Sequence, residues 1–558
     1  MAPTTQTVWP AHDGLRVIAE DEALLVVDKP SGVSALASER GGDDMVTRVR
    51  AVRDEPYLGV LQRLERDVSG AMVFTRNRRF NAAIAPQFER NTVTRTYLVA
   101  LEGWPAKEPK GSLVSRVVPD GEGGFLAVEK PTRGEQRVSF NWRIEAREGT
   151  RTLLAITPTA GTLAMVRAQL AGVGNAIVGD ARHGGAPYAV PLLHLAALGI
   201  EHPGTTRRVR YEATRPARFD RWLHGDVLPA SIAAWRERML ESIERRFSLA
   251  HTSGLDAYRL GNDVGDDLPG VTVDRYGDYA LAQFYTPEAT EARDAVLDAI
   301  ASLGAKGVFA KYRPRQSNTL VETRRDDLAP AHALRGNDAP DDFAITEHGL
   351  TYRVRLGDGL STGIFLDQRE NRAFVRSHVR DARVLNLFAY TCAFTVASAA
   401  GGARSTVSVD VSAGAMAIGR ENLVANHLDD AAKHTFSNAD VFGWLEGAIA
   451  RGDLFDLVIL DPPSYSTTKD GSRFSAESDY RSLAALALRV VAPGGRLLAC
   501  SNHRGITHAR LRRQLQEACV EAGCASARQR DLADPVDFPG PPGRECHLKS
   551  IVVELAPA

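Results

Sequence analysis

The chain has 558 residues, 44% of them hydrophobic and 25% charged. Ordinary globular composition at this length calls for more than one domain, with cores large enough to need no disulfide or structural metal. The balance of 68 basic against 69 acidic residues excludes a histone-like or tail-like nucleic-acid binder, although a local basic groove is compatible with it.

Residues 1–225 carry short β-type runs, LLVVDKP, AMVFTRN, RTYLVALEG and TLLAITPTA, separated by turns such as PDGEGG. They predict a mixed-sheet α+β domain with few long helices. A middle segment, 226–345, opens on LPASIAAWRERMLESIERRFSLA, where Ile232, Trp235, Met239, Ile243 and Phe247 recur at helical spacing. It continues as strand, Gly/Asp-rich turn, strand, turn, strand and helix, and reads as a small α+β domain. The polar stretch RGNDAPDD, 335–342, is a candidate linker. From 346 to 558 strands alternate with helices: VLNLF, STVSVDVS and DLVILDPP against AGAMAIGRENLVANH and RSLAALALRVVA. This pattern predicts an α/β fold, a doubly wound and mostly parallel Rossmann-like sheet.

The chain has five cysteines, Cys392, Cys500, Cys519, Cys524 and Cys546. Their odd number and the lack of a CxxC pair suggest neither zinc nor a disulfide framework, and no metal is expected. The N-terminus lacks a signal-peptide pattern, and no apolar run has the length of a membrane span. A soluble cytoplasmic protein without a membrane partner is the expectation.

Ligands of an open parallel sheet sit at the carboxyl ends of its strands. Four features of the last domain fall there. After VLNLF, the turn AYTCAFT places Asn386, Phe388 and Thr391 to line a ligand. Asp410 ends STVSVD, 24 residues after Asn386, where a carboxylate can accept from both ribose hydroxyls of an adenosine ligand. Asp440 follows one βα unit later and can accept from an adenine amino group. Asp461 ends DLVILD. Any one of these acids alone reads equally well as a helix cap. Three at consecutive strand ends point to a nucleoside cofactor, and the GxGxxG loop of a nicotinamide site is absent.

Asp461-Pro462-Pro463-Ser464-Tyr465 carries the chemistry. Two consecutive prolines stiffen the loop and remove two N–H donors. A fixed carbonyl and the Asp461 carboxylate can accept from a planar amino or ring N–H, turning the nitrogen lone pair toward a methyl sulfonium. Tyr465 can stack on a base. In isolation, a Pro-Pro loop end with a buried tyrosine explains the run as well.

TGIFLDQRENR, VLNLFAYTCAF, GGARSTVSVDVS, ENLVANHL, DLVILDPPSYS and LLACSNHRG occur in this order. Together they resemble the class I methyltransferases that modify bases of bacterial large-subunit ribosomal RNA. YRLGNDVGDDLPGVTVDRYG resembles the small domain preceding the catalytic one in that family. The resemblance implies S-adenosylmethionine (SAM) as cofactor, with Phe365, Asp367 and Arg369 near it and Asp410 on its ribose. It implies RNA as partner, ribosomal RNA (23S) or a pre-ribosomal particle. The chain departs from the family in the AYTCAF loop, which holds no glycine. Base-carbon methylators need a cysteine nucleophile after the DPP run or in the later strand-end motif. The aligned residues here are Ser464 and Asn502, and Cys500 reads as a buried strand residue. A base nitrogen is the favoured target.

Residues 18–203 resemble RluA-type pseudouridine synthases through LLVVDKPSGV, QRLERDVSGAMVFTRN, RTYLVALEG, VGDARHG and LLHLAALGIEHP. The family's HRLDxxTSG motif aligns its catalytic Asp with Glu65, preceded by Gln62-Arg63-Leu64. Its TGRTHQIR motif aligns with AGTLAMVR, 160–167, where only Gly161 and Arg167 match. Glu65 is one methylene longer than Asp, and catalysis is sensitive to displacement on this scale. The expectation is a degenerate domain that helps hold RNA. Tyr97 and Arg63 could stack on or pair with RNA, and the RNRR loop, 76–79, could meet phosphates. The alternatives are a bifunctional synthase and methyltransferase, a cytosine-carbon methyltransferase, and a non-catalytic ribosome-assembly factor.

Overall fold

The computed structural model describes residues 9, 15–36, 44–313, 326–467 and 473–557. The chain forms two compact units, 1–251 with 264–269, and 252–263 with 270–558.

The first unit is built on an eleven-stranded mixed sheet. Ser69–Thr75 runs parallel to Leu193–Glu201, and the other pairings are antiparallel. Helix Ile232–Glu244 belongs to this unit, whereas the sequence pattern opened the middle segment with it. The reason is charge and capping at its ends. Ser231 caps it, and Arg221 reaches Glu237 at 3.2 Å and Glu241 at 2.9 Å. The buried Arg238 donates to the Asp226 and Val227 carbonyls. Trp235, Met239 and Ile243 are buried, but Ile232 is exposed, so the apolar stripe is narrower than its spacing suggested.

The second unit begins with a five-stranded sheet in sequential order, Ala257–Asn262, Val271–Tyr276, Tyr279–Phe284, Gly307–Tyr312 and Arg335–Gly336. The candidate linker therefore starts inside this sheet, because Arg335 and Gly336 pair with Val308 and Gly307. One face places Ala257, Tyr276, Leu281 and Phe309 in a core shared with Tyr352, Ile364, Val396 and Phe538.

The remainder is the expected doubly wound domain. Its elements are α1 (Arg369–His378), β1 (Arg383–Leu387), α2 (Ala393–Ala400), β2 (Ser405–Asp410), α3 (Ala413–Ala425), β3 (His434–Asn438), α4 (Val441–Arg451), β4 (Phe455–Leu460), α5 (Ala476–Leu488), β5 (Val491–Ser501), α6 (His508–Ala522), β6 (Ser526–Asp531) and β7 (Lys549–Leu555). The sheet order is β3-β2-β1-β4-β5-β7-β6, with β7 antiparallel to both neighbours. Alternate residues of the central strands enter opposite cores. Leu385, Leu387, Val458 and Leu460 pack on one side, and Val384, Leu457 and Ile459 on the other. Burial on both faces explains why these strands read as continuous apolar runs. The order reverses between β1 and β4, which opens a crevice at their carboxyl ends.

Candidate active site

The first loop, Phe388–Cys392, leaves β1 through an unusual backbone. Phe388, Tyr390 and Cys392 lie at φ 55°, 48° and 59°. Each such non-glycine residue costs of order 1–3 kcal/mol unless its surroundings hold it. The tight turn normally made by glycine is thus present without one. Cys392 is fully buried, with Sγ 3.6 Å from Met416 Sδ. It fills the space left by Gly419 on α3, where a Cβ would come within 2.6 Å of its sulfur.

Asp410 braces this loop. Its Oδ2 accepts from Tyr390 N at 2.9 Å and its Oδ1 from Ser412 N at 2.8 Å. A carboxylate has about four acceptor positions, so each oxygen keeps one for a ligand hydroxyl. Asp440 caps α4 through Gly443 N at 3.0 Å and is exposed. Its Oδ1 has no hydrogen-bond partner among the described residues. Phe365 is 48% exposed, its ring centroid 5.5 Å from that of Tyr390.

Asn386 and Thr391 are placed differently from the expectation. Both are buried; Asn386 donates to Thr395 Oγ1 at 3.0 Å, and Thr391 Oγ1 donates to the Gly363 carbonyl. They hold the loop from behind instead of lining the crevice with their side chains. Phe388 packs against the core, with its ring 6.4 Å from Phe474. Arg369 is likewise displaced. Its guanidinium is fully buried against Asp537, at 2.7 and 3.0 Å, and is not free for a cofactor. A buried guanidinium requires such a partner, and only the tertiary structure supplies it.

Asp367 and Asp461 form the acidic centre. Asp367 accepts from His547 Nε2 at 2.9 Å. Burial pushes the Asp367 carboxyl up, but the His547 bond and charge outweigh it and hold it below the usual range. The same pairing lifts His547 to about 9 against the effect of burial. Asp461 has no cation of its own. Burial, then the charge of Asp367, push it up to about 7, opposed by a 2.8 Å hydrogen bond from Gln368 Nε2. Asn371 donates to Gln368 Oε1 and so fixes the orientation of that amide.

The loop after β4 faces the end of β5. Ser464 Oγ donates to Asn502 Oδ1 at 2.7 Å. Tyr465 is 49% exposed, with its hydroxyl 2.8 Å from His503 Nε2. Gly505 N donates to His503 Nδ1, which assigns the imidazole proton to Nε2. His503 therefore donates to the Tyr465 oxygen, and the tyrosine proton is free for another acceptor. Pro462 is buried and Pro463 exposed. Cys500 is fully buried, and burial raises its thiol well above its ordinary range. Tyr390, Gln368, His503 and His547 were not singled out from the sequence. Gln368, Tyr390 and His503 lie inside quoted motifs, whereas His547 reaches the site from just before β7, 180 positions after Asp367.

In the first unit, Arg167 pairs with Glu65 and also bidentately with Asp180, at 2.8 and 2.9 Å. Tyr97 is buried, which raises its hydroxyl to about 12, with Glu65 adding to the shift. Arg63 is exposed. The structure thus brings Glu65 and Arg167 into contact, and it adds Asp180 from VGDARHG. The RNRR loop is no free cationic patch. Arg76 meets Glu20 and Glu55, Arg79 meets Glu22, and Arg78 lies over the Tyr57 ring.

No helix among the described residues is long and apolar enough to cross a membrane. Among the described residues no group of three or more His, Cys, Asp or Glu could hold a metal ion.

The donor set at the β1, β2 and β3 ends fits SAM. Asp410 retains acceptors for a diol, Asp440 retains one for an amino group, and Phe365 offers an exposed ring. Residues 262–551 match the model of the S-adenosylmethionine-dependent methyltransferases, and residues 23–172 that of RNA pseudouridylate synthase. Ribosomal RNA large subunit methyltransferase I of Cronobacter sakazakii is 34% identical over 292 residues, 52% of this chain and 72% of that protein. Its counterpart in Klebsiella pneumoniae strain 342 is 33% identical over 327 residues, 58% and 80% respectively. The solved structure of SMU.776, described as a methyltransferase complexed with SAH, is 29% identical with a TM-score of 0.53, covering 64% of this chain and 86% of that one. The strand-end acids and these matches agree: the chain belongs to the S-adenosylmethionine-dependent methyltransferase family, with a pseudouridylate-synthase-like segment preceding the methyltransferase in sequence.

Proposed function

We propose that this chain methylates a base nitrogen of large-subunit ribosomal RNA, in the cytoplasm, on free RNA or a pre-ribosomal particle. The observation that carries the choice of nitrogen is the Ser464–Asn502 hydrogen bond. Those two residues stand where a base-carbon methylator would hold its nucleophilic cysteine, and neither can form the covalent adduct. The relatives named for ribosomal RNA support the substrate class.

SAM supplies an electrophilic methyl group when bound. Phe365, Asp410 and Asp440 would hold it, the carboxylates accepting from ribose and adenine. Asp461 and the stiff Pro462-Pro463 loop would accept hydrogen bonds from the target N–H. That fixes the base plane and turns its lone pair toward the methyl group. Tyr465 would stack on the base or donate its free proton to a base acceptor. As the nitrogen gains a methyl it loses a proton, which the Asp461 carboxylate would accept. Positioning of this kind supplies much of the rate.

The first unit would hold RNA without isomerising uridine. Glu65 is one methylene longer than the aligned Asp, and the Thr, His and Gln of the second synthase motif are replaced by Leu163, Ala164 and Met165. The retained Glu65–Arg167 contact is the one feature favouring a bifunctional enzyme. Mass spectrometry of ribosomal RNA from cells with and without the gene tests both readings. Loss of one N-methylated base with every pseudouridine intact is expected. A lost C-methylated base would overturn the nitrogen assignment, and a lost pseudouridine the reading of the first unit.

A further inference from the structure

A cavity of about 420 Å³ lies in the second unit, apart from the crevice at the strand ends. Its walls are the hairpin of Ala344–Glu347 and Leu350–Arg353, helix α1 and the C-terminal end of α2. The cofactor loop sits at the opposite end of α2, roughly 12 Å away for an eight-residue helix.

The charges around this cavity do not cancel. Glu347 is its only lining carboxylate, and both of its oxygens are taken by Arg372 at 2.7 and 2.6 Å. Arg376 donates to the His348 carbonyl at 2.9 Å, and Arg380 is exposed with no carboxylate partner among the described residues. Two guanidinium charges are therefore uncompensated in one concavity. Cations at the last turn of α1 also offset its carbonyl dipole. That role does not account for Tyr352. This residue lines the cavity and is 1% exposed, yet its hydroxyl has no hydrogen-bond partner among the described residues. A buried hydroxyl left unpaired is costly, and a ligand oxygen would relieve it. Leu350, Ala373, Ala397 and Ala400 give the cavity an apolar wall.

We propose that this cavity binds a phosphate-bearing nucleotide unit, with Arg376 and Arg380 on the phosphate, Tyr352 on a ligand oxygen and the sugar or base against the alanine wall. Planar guanidinium groups suit phosphate oxygens, which they can engage bidentately. A free nucleotide and a backbone phosphate of RNA share this chemistry. The inference does not depend on which base is methylated.

The test is a titration of the full chain with GMP and, separately, with a short single-stranded RNA at fixed salt. The variants are Arg376→Ala/Arg380→Ala, Arg380→Glu and Tyr352→Phe, with SAM binding as a control for folding. Arg380→Glu leaves the Arg376–His348 contact intact and is the cleaner probe. Loss of a charge-assisted phosphate contact should weaken binding roughly tenfold, and Tyr352→Phe roughly threefold. An effect on GMP identifies a free nucleotide as ligand; an effect on RNA alone identifies a backbone phosphate. The proposal fails if the wild type binds neither probe, or if Arg380→Glu and the double variant bind both as the wild type does.

Discussion

Gln368 donates through Nε2 to Asp461 Oδ2 at 2.8 Å, so the Asp461 carboxylate is held by a neutral amide next door in sequence to Asp367, whose charge opposes its ionisation. The position of Asp461 is fixed while its proton remains easy to gain and lose near neutrality.

The first prediction is a pH dependence. Asp461 must be a carboxylate to accept from the target N–H, and burial with Asp367 raises it to about 7. Single-turnover methylation should therefore rise with pH, with a midpoint near 7. Asp367→Asn removes the like charge and should lower the midpoint; Gln368→Leu removes a bond to the charged form and should raise it. Asp461→Asn should cost about 10²–10³ in rate. The stability sign is opposite. An acid raised in the folded state stabilises it most at low pH, and this contribution falls between about 4 and 7. A rate midpoint at 4–5 would refute the assignment.

Cofactor affinity should depend on Asp410 more than on Asp440. Asp410→Asn removes charge-assisted acceptors worth about 1.5–3 kcal/mol, or roughly ten- to a hundredfold in the SAM dissociation constant. Asp440→Ala should lose less, together with about 1 kcal/mol of stability for the lost α4 cap. Calorimetric titration with SAM distinguishes them, and equal losses would place the ribose elsewhere.

The glycine-free loop depends on a glycine in the next helix. Gly419→Ala would drive a methyl group into Cys392 Sγ and disturb Tyr390 and Asp410. SAM affinity should fall about tenfold. Adding Cys392→Ala should restore part of it, because the two side chains compete for one space. A strictly additive double variant would argue against this packing.

Asp537→Ala should be among the most destabilising changes in the second unit. It strands the buried Arg369 charge, at a cost of about 3–5 kcal/mol. Replacing both with apolar residues, Arg369→Met/Asp537→Leu, should cost less than the single change. Urea denaturation of the two variants decides the point.

Cys500→Ala should retain methylation within about tenfold, the loss reflecting only a small cavity behind β5. A folded Cys500→Ala protein without activity would make the thiol a nucleophile and move the target from nitrogen to carbon.

Sequence alone determined the alternating strands and helices of the last domain, and with them the strand ends that carry Asp410, Asp440 and Asp461. Those signals are local: burial on both faces of β4 writes an apolar run that ends at Asp461, and the β-branched residues of β2 mark a strand that ends at Asp410. The DPPSY loop was legible for the same reason, since two prolines fix the backbone wherever they occur. Tertiary structure decided what each side chain does there. Arg369 meets Asp537 168 positions away, His547 meets Asp367 across 180, and Asn502 meets Ser464 across 38. No periodicity encodes these pairs, because they follow from the β3-β2-β1-β4-β5-β7-β6 order of the sheet. The same holds for the first loop. Three non-glycine residues adopt left-handed backbone there because Gly419 and Asp410, both beyond the loop, hold them in place.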